Sequence, residues 1–546
     1  NNNTIDSNNI TATEWNTRGI YFGTNSNSNT ISNNNILTTL GGASYGIWFD
    51  SSNNNIIINN KINTSGGLAH GIYHASSQNN NFTNNNVTAL AAYPYYIYGT
   101  TITDYNNTIG PDNLADGKPL NYTYNYENIV FDGISSTQYG QIIFAYCNNI
   151  TIKNFNLTDN GISLYYTENS TVSNNNISIT KSYGYGVSLY YSSDSNNVTD
   201  NTITTSGGYG YGIYLFTSSN YNNLLNNNIT TSGGYGHGIY LRTSSDYNNI
   251  TSNNISTSGG SGDSISLSSS NFNNLLSNTI LTSTSQQKEG IYLLSSNNNT
   301  IDSNNITITE WNNRGVYISS SNSNYLSNNN ILTTKGGGHG IYLYDDSLNT
   351  TVIGGNITTQ AAGTYALIAN VDVITATVTN TVLDATGAID FYTSTDTDAG
   401  SWINFVNVTF NQSETSINDV LDLNVSYYLD VYVNDTLDNS KSGVNVTSWN
   451  NNSEKVFSVL TGTDGNIERQ TLLSYTENSS GKTYYTPHSL NASKLGLNSY
   501  YNSSINLTSS IQMNLELVDP APSVDFEDPT LANGSVTPND NIYVNV

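Results

Sequence analysis

A phrase returns every 25 or 26 residues through much of this chain, and its fixed point is a glycine: Gly186, Gly212, Gly238, Gly290, Gly315 and Gly340, with Ser264 in that place once. The phrase is clearest at Gly212-Ile213-Tyr214-Leu215, followed by Asn222-Asn223-Leu224-Leu225-Asn226-Asn227-Asn228-Ile229 and a glycine-rich run into Gly238-Ile239-Tyr240-Leu241. A fixed period of this size marks a solenoid, because one repeat cannot bury its apolar face without neighbours. Ile213 and Leu215, like Ile239 and Leu241, are two apart, which is strand spacing. Short strands, one coil per repeat and asparagines at the corners predict a parallel β-helix with these four side chains facing inward.

The repeat governs residues 1–414, as about fifteen coils stacked at the spacing of neighbouring strands. Between Ile109 and Gly140 the rhythm loosens around Gly117-Lys118-Pro119, which predicts a wider coil or a loop leaving the rod. A longer echo is also present. Residues 1–23 match residues 297–319 at 18 of 23 positions, so Glu14-Trp15 and Arg18 recur as Glu310-Trp311 and Arg314. A duplicated block of coils adds length, which suits a spacer better than a one-site enzyme. Residues 415–519 change to alternating strands, such as Tyr428 to Val433 and Ile511 to Leu517, and predict an Ig-like sandwich of about seven strands. Thr463-Asp464-Gly465-Asn466 is a hairpin signal within it. Pro520-Ala521-Pro522 reads as a linker, and residues 520–546 as the start of a further β domain. The chain reads as a piece of a longer protein.

Only 10% of residues are charged, yet the net charge is −26 with 14 Lys and Arg. Nucleic acid is excluded as a partner, since phosphate binding needs clustered cations. No apolar run is long enough to span a membrane. Cys147 stands alone, so no intrachain disulfide is possible. About thirty Asn-X-Ser/Thr sequons occur. Those in the repeats, such as Asn228 and Asn305, are assigned mainly to asparagine ladders between coils. Asn434, Asn445, Asn478, Asn491, Asn502 and Asn506, beyond the repeats, are candidates for glycosylation.

The coils, together with Gly117-Lys118-Pro119 and the run Gly140-Gln141-Ile142-Ile143 to Asn149-Ile150-Thr151-Ile152, resemble the NosD-like (CASH) right-handed parallel β-helix of archaeal cell-surface proteins. Residues 424–519 look like the carboxypeptidase-regulatory-type sandwich that often follows it. The resemblance implies an extracellular or cell-surface location more than an activity. The family's copper does not carry over, because copper needs clustered His, Met or Cys and this chain has one Cys, one Met and five His. Only His70 and His74 lie close in sequence.

Carboxylates that could serve a polysaccharide lyase or hydrolase are few: Asp345-Asp346, Glu127, Asp132, and the duplicated Glu14 and Glu310. The Glu-Trp-Asn…Arg set reads either as a sugar contact or as a loop closed by a Glu–Arg pair. Asp396 and Asp398 are weak calcium candidates in what is otherwise an ordinary turn; no other cofactor is expected. The residue between the inward Ile and Leu points outward. Down the rod it reads Tyr21, Trp48, Tyr73, Tyr98, Ser163, Ser188, Tyr214, Tyr240, Ser266, Tyr292, Tyr317 and Tyr342. This stripe reads as a strand ladder, as a self-assembly interface or as a platform for glycans or other surface proteins. The sequence thus predicts a non-enzymatic structural subunit of an archaeal extracellular filament, appendage, surface layer or adhesin. A carbohydrate-active enzyme or glycan-binding module is the alternative.

Overall fold

A computed structural model describes residues 1–518, apart from 40–41, 135–137, 284–287, 387–388, 395–396 and 419. The expected linker and third domain at 520–546 lie outside the described residues. The chain forms two compact units: Asn1–Asn404 with Val408–Asp422, and Phe405–Asn407 with the chain from Leu423 onward.

The first unit is a β-solenoid of short strands, with one 3-10 turn among the described residues, at Ile102–Tyr105. Each full coil carries three strands, as in Ile213–Phe216, Asn223–Leu225 and Asn228–Thr231, and each strand pairs in parallel with its equivalent one repeat away. Ile213 lies beside Ile239 and Leu215 beside Leu241, all four fully buried as expected. Ordering a residue costs about 1–2 kcal/mol, whereas burying an aliphatic side chain returns about 1.5–3. Four or five such side chains cannot hold a coil of this length, so stability has to come from stacking. The coil glycine is set by that stacking. A Cβ on Gly212 would meet Ile229 Cγ2 at 2.4 Å and the Gly238 carbonyl oxygen at 2.5 Å. Ser264 stands in once, its hydroxyl hydrogen-bonded to those of Thr257 at 2.8 Å and Thr282 at 3.0 Å.

Two corners of each coil are held by buried asparagines. One column runs through Asn175, Asn201, Asn227, Asn253, Asn278, Asn304 and Asn329, each amide nitrogen donating to the next Oδ1 at 2.9–3.1 Å. The other runs from Asn222 through Asn248, Asn273, Asn299 and Asn324. Asn227 is satisfied throughout: its backbone N–H and Nδ2 both donate to Asn253 Oδ1, Nδ2 also donates to the Val198 carbonyl, and Oδ1 accepts from Asn201. The sequon asparagines are the neighbouring residues. Asn228 and Asn305 start strands and are exposed, so the buried ladder belongs to Asn227 and Asn304. Asn228 and Asn305 form only an outer ladder, accepting from Asn254 at 3.0 Å and Asn330 at 2.9 Å.

The region around Gly117 is neither a wider coil nor a loop leaving the rod. Leu114–Ala115 turns back at Gly117 (φ +80°) and pairs antiparallel with the start of Lys118–Tyr124. The latter strand then pairs in parallel with Gln141–Ala145 and begins a second stack with reversed strand direction. The solenoid is therefore two stacks. Tyrosines of the second close the end of the first: Tyr105 packs on Tyr165 with centroids 4.9 Å apart, and Tyr98 meets Tyr191 edge-on at 6.1 Å. Gln141 caps the last strand of the first stack, its side chain accepting from Tyr95 N at 3.3 Å and donating to Tyr95 O at 2.8 Å. One apolar cluster runs from Ile20 through Ile109 into Tyr165, Tyr190, Tyr191 and Tyr214.

The second unit contains two β-sheets. Asp422–Asn434 pairs antiparallel with Gln470–Asn478, which pairs with Gly481–Tyr484, and parallel with Ile511–Glu516. The other sheet orders as Lys455–Leu460, Asn445–Trp449, His488–Ser493 and Tyr500–Ile505. Among the described residues there are eight strands, against about seven expected. The Thr463–Asn466 turn forms, with Gly465 at φ +79°, but it links strands of different sheets and so is not a hairpin.

Asn227→Ala removes both donors and the shared acceptor of a buried corner, and is expected to destabilise the solenoid by about 2 kcal/mol or more. Asn228→Ala, one residue away and exposed, is expected to stay within about 0.5 kcal/mol. Urea unfolding of the two variants checks the contrast.

Candidate functional site: the outward tyrosine face

The outward positions of the Gly-Ile-Tyr-Leu strands stack as expected in part. Tyr21, Trp48 and Tyr73 are in register, but the next rung is Tyr96; Tyr98 aligns with Ala75, two positions further on, and packs against the second stack. In the second stack, Ile143, Ser163, Ser188, Tyr214, Tyr240, Ser266, Tyr292, Tyr317 and Tyr342 follow one another in register.

The stripe is not one continuous exposed surface. Ser163, Ser188 and Tyr214 are buried, and Ser188 donates to the Ser163 hydroxyl at 3.0 Å. The serine break there lies within the packed junction of the stacks, so it does not divide an open surface. Tyr342 is also buried. Exposed or half-buried stripe residues are Tyr21, Trp48, Tyr73 and Tyr96 in the first stack and Tyr240, Tyr292 and Tyr317 in the second. Tyr292 and Tyr317 stack with centroids 5.0 Å apart and planes 7° apart.

The chemistry is in the column beside this stripe, at the residue before each coil glycine. On successive coils it reads Tyr211, His237, Asp263, Glu289, Arg314 and His339. Three of these side chains accept the next coil's backbone N–H: Asp263 N donates to His237 Nδ1 at 2.9 Å, Glu289 N to Asp263 Oδ1 at 3.2 Å, and Arg314 N to Glu289 Oε2 at 3.1 Å. The Arg314 guanidinium donates to Glu289 Oε1 at 2.7 Å and lies 4.5 Å over the rings of Tyr317 and Tyr342. The pair expected to close the tryptophan loop is thus replaced by Glu289–Arg314. Arg18 rests over the rings of Trp48 at 3.9 Å and Tyr21 at 5.0 Å.

Burial pushes the Asp263 carboxyl up to about 6 and that of Glu289 up to about 7. Burial holds Lys288 down to about 8, its ammonium donating to the Gly259 and Gly262 carbonyls. His237 is held neutral by burial, at about 4. Two carboxyls one coil apart, both raised toward neutrality by burial, are the elements of acid–base catalysis. Their side chains, however, are only 10% and 7% exposed, so the pair is nearly closed to a substrate. Asp263 and Glu289 escaped the sequence reading because they are 26 residues apart. The signal was available: His237 and His339, each one residue before a coil glycine, occupy the same column.

The carboxylates singled out from sequence go elsewhere. Asp132 pairs with Lys153 at 3.5 Å. A hydrogen bond to Asp345, with the charges of Asp346 and Asp398, raises Asp372. Asp396 lies outside the described residues. Among the described residues no three His, Cys, Asp or Glu side chains gather to hold a metal ion. Of the glycosylation candidates, Asn445 and Asn506 are exposed, while Asn434, Asn478, Asn491 and Asn502 are half-buried. The Asn434 amide is committed to Asp438 at 2.9 Å.

Asp263 has a folded value above the ordinary 3.8, so its contribution to stability is full below that value and is lost as pH rises through about 6. The buried histidines His70, His74, His237 and His339 have lowered values and act in the opposite sense over the same range. The difference between variants isolates the carboxylate. Asp263→Asn, which keeps an acceptor for Glu289 N–H, is expected to gain stability relative to the unsubstituted protein as pH rises from about 4 to about 7. Urea midpoints across that range check the sign.

Residues 93–286 and 237–359 match the sequence profile of a family described as periplasmic copper-binding protein (NosD). No curated protein matches. Among solved structures, the periplasmic alginate epimerase AlgG is 14% identical with a TM-score of 0.29, covering 62% of this chain and 73% of that one. The A-module of the Azotobacter vinelandii mannuronan C-5 epimerase AlgE4 is 12% identical with a TM-score of 0.35, over 66% and 90%. The tailspike of E. coli bacteriophage HK620, in complex with a pentasaccharide, is 11% identical with a TM-score of 0.27, over 88% and 85%. Likeness at this level concerns the fold alone. The residues present do not fit copper. His70 Nδ1 accepts from Tyr93 N, His74 Nε2 is engaged by Asn80, and the buried Cys147 thiol faces backbone carbonyls. Over residues 93–359 the chain is a NosD-like parallel β-helix.

Proposed function

We propose that the chain is a non-enzymatic structural subunit of an extracellular assembly on an archaeal surface, such as a filament, an appendage or a surface layer. The observation that carries this reading is the run of asparagine columns through the second stack, from Asn175 to Asn329, which commits the buried polar groups of each corner to holding coil on coil. Such an element resists bending and extends by adding coils, as the duplicated block has done. Exposed sequon asparagines such as Asn228, Asn305, Asn445 and Asn506 suit a glycosylated outer surface. Low charge density suits a chain whose faces are covered by assembly or glycans. Copies associate through the part of the tyrosine face that the molecule does not use internally, centred on Tyr240, Tyr292 and Tyr317. Tyrosine is favoured at interface cores because its ring buries large area at low entropic cost.

A second reading, polysaccharide hydrolysis, is favoured by the Asp263–Glu289 pair alone. Negative-stain microscopy of the full chain separates the two. Ordered fibres or lattices that disperse in Tyr292→Ser with Tyr317→Ser support the structural reading. Dispersed particles at all concentrations, or polysaccharide turnover abolished by Glu289→Gln, would overturn it.

A further inference from the structure

The duplicated Glu-Trp-Asn segment is absorbed neither by the core nor by the tyrosine face. Trp15 is 69% exposed and Trp311 57% exposed, at equivalent turns before the Arg18–Phe22 and Arg314–Ser319 strands. An exposed indole is ordinarily free to choose among rotamers; these two lie against backbone. A Cβ on Gly336 would meet Trp311 Cζ3 at 2.4 Å, and one on Gly42 would meet Trp15 Cε3 at 2.9 Å. Each indole thus rests on a glycine of the following coil, where any side chain would lift it. The asparagine after each tryptophan has positive φ, 56° at Asn16 and 59° at Asn312, and its turn is tied to that same coil. Asn16 Oδ1 accepts from Ala43 N at 3.1 Å, and Asn312 N donates to the Gly336 carbonyl at 3.2 Å. The tied coil is also repeated: residues 33–39 and 328–334 are both Asn-Asn-Asn-Ile-Leu-Thr-Thr. A fixed ring with one bare face has therefore been kept twice, together with the glycine cushion that fixes it.

We propose that Trp15 and Trp311 are two equivalent carbohydrate-stacking sites, each taking one uncharged pyranose ring with equatorial substituents. Such a ring presents a flat apolar face of axial C–H groups that matches an indole, and hydroxyls at its rim. The surroundings fit that ligand better than a protein. The exposed residues of the first loop are Thr13, Glu14 and Asn16, and those beside Trp311 are Asn312 and Lys335. They offer hydrogen-bonding groups at the rim of each indole. A stable protein interface needs on the order of 1,200 Å² around an apolar centre, far more than one indole supplies. The net charge of −26 disfavours acidic polysaccharides, so the ligand is neutral or N-acetylated. Two sites on one chain give a long polysaccharide avidity that a single ring lacks. This inference is independent of the assembly reading.

The test is calorimetry of the full chain with two probes, the hexamers of β-1,4-linked glucose and of β-1,4-linked N-acetylglucosamine, with a polygalacturonate hexamer as the acidic control. Two equivalent sites are expected for at least one neutral hexamer and none for the acidic one. Trp15→Ala and Trp311→Ala are each expected to leave one site, and the double variant none, with unchanged circular dichroism. Gly336→Ala keeps the indole but displaces it, and is expected to weaken the Trp311 site by about tenfold while sparing the Trp15 site. Absence of binding to both neutral hexamers overturns the proposal. So does binding that survives in the double variant, or a Gly336→Ala protein that binds as the parent does.

Discussion

Everything in the solenoid depends on the hydrogen bonding of the asparagine corner. A coil that turns three times must bury backbone groups at its bends, and an orphaned group there costs about 1–3 kcal/mol. Asparagine solves this with one short side chain. Its oxygen accepts two donors from the preceding coil, and its nitrogen reaches both the next asparagine and a backbone carbonyl, as Asn227 does. Aspartate lacks the donors and stacks like charge on like charge. Glutamine is one methylene too long to stay in the corner. The bias of the composition follows: asparagine is abundant because most coils use it at two corners, and charge is sparse because stacked positions multiply any repulsion.

The junction near Gly117 shows what happens where stacking stops. A parallel solenoid has no way to finish without exposing strand edges and a cross-section of its core. Here the chain reverses through a hairpin, and the second stack supplies the cover. The Tyr165, Tyr190, Tyr191 and Tyr214 rings continue the first stack's core, and Gln141 pairs with the last strand's backbone at Tyr95. Burying this polar hinge requires its charge to be compensated, which Lys181 does by bonding both Asp116 and Asn160. The small outward residues Ser163 and Ser188 are the counterpart on the covering face, both buried there.

The architecture was legible because period and alternation are properties of single residues in sequence order. Ile213, Leu215, Ile239 and Leu241 needed no knowledge of distant contacts to be placed inside. What was hidden depends on which coil neighbours which. Tyr98 was placed in the stripe by counting, yet register puts Tyr96 there, because the coil before it is set by the Tyr93-Pro94 turn. Tyr214 was read as outward, which it is, but the face it points to is occupied by the first stack. Asp263 and Glu289 form a pair only when coils are laid one above another, so a search for adjacent carboxylates found Asp345-Asp346 instead. The turn at Thr463–Asn466 was recognised from its residues, but whether it joins neighbours or crosses between sheets is decided by strand pairing across the second unit.

The duplicated block has one more consequence. Its first copy sits near the start of the first stack and its second in the middle of the other, yet both place the arginine over aromatic rings of the outward face and both hold the indole on a glycine. In the second copy Arg314 N–H and guanidinium also reach Glu289 of the coil before. The contacts common to both tryptophan loops run to the following coil. That is why the sequence identity does not end with the loop but resumes at residues 33–39 and 328–334, which belong to the following coil. A loop transplanted without its cushion would lose the contact that fixes the ring. The unit that this fold can copy with its surface chemistry intact is thus a pair of coils, because each side chain's environment is shared between a coil and the next.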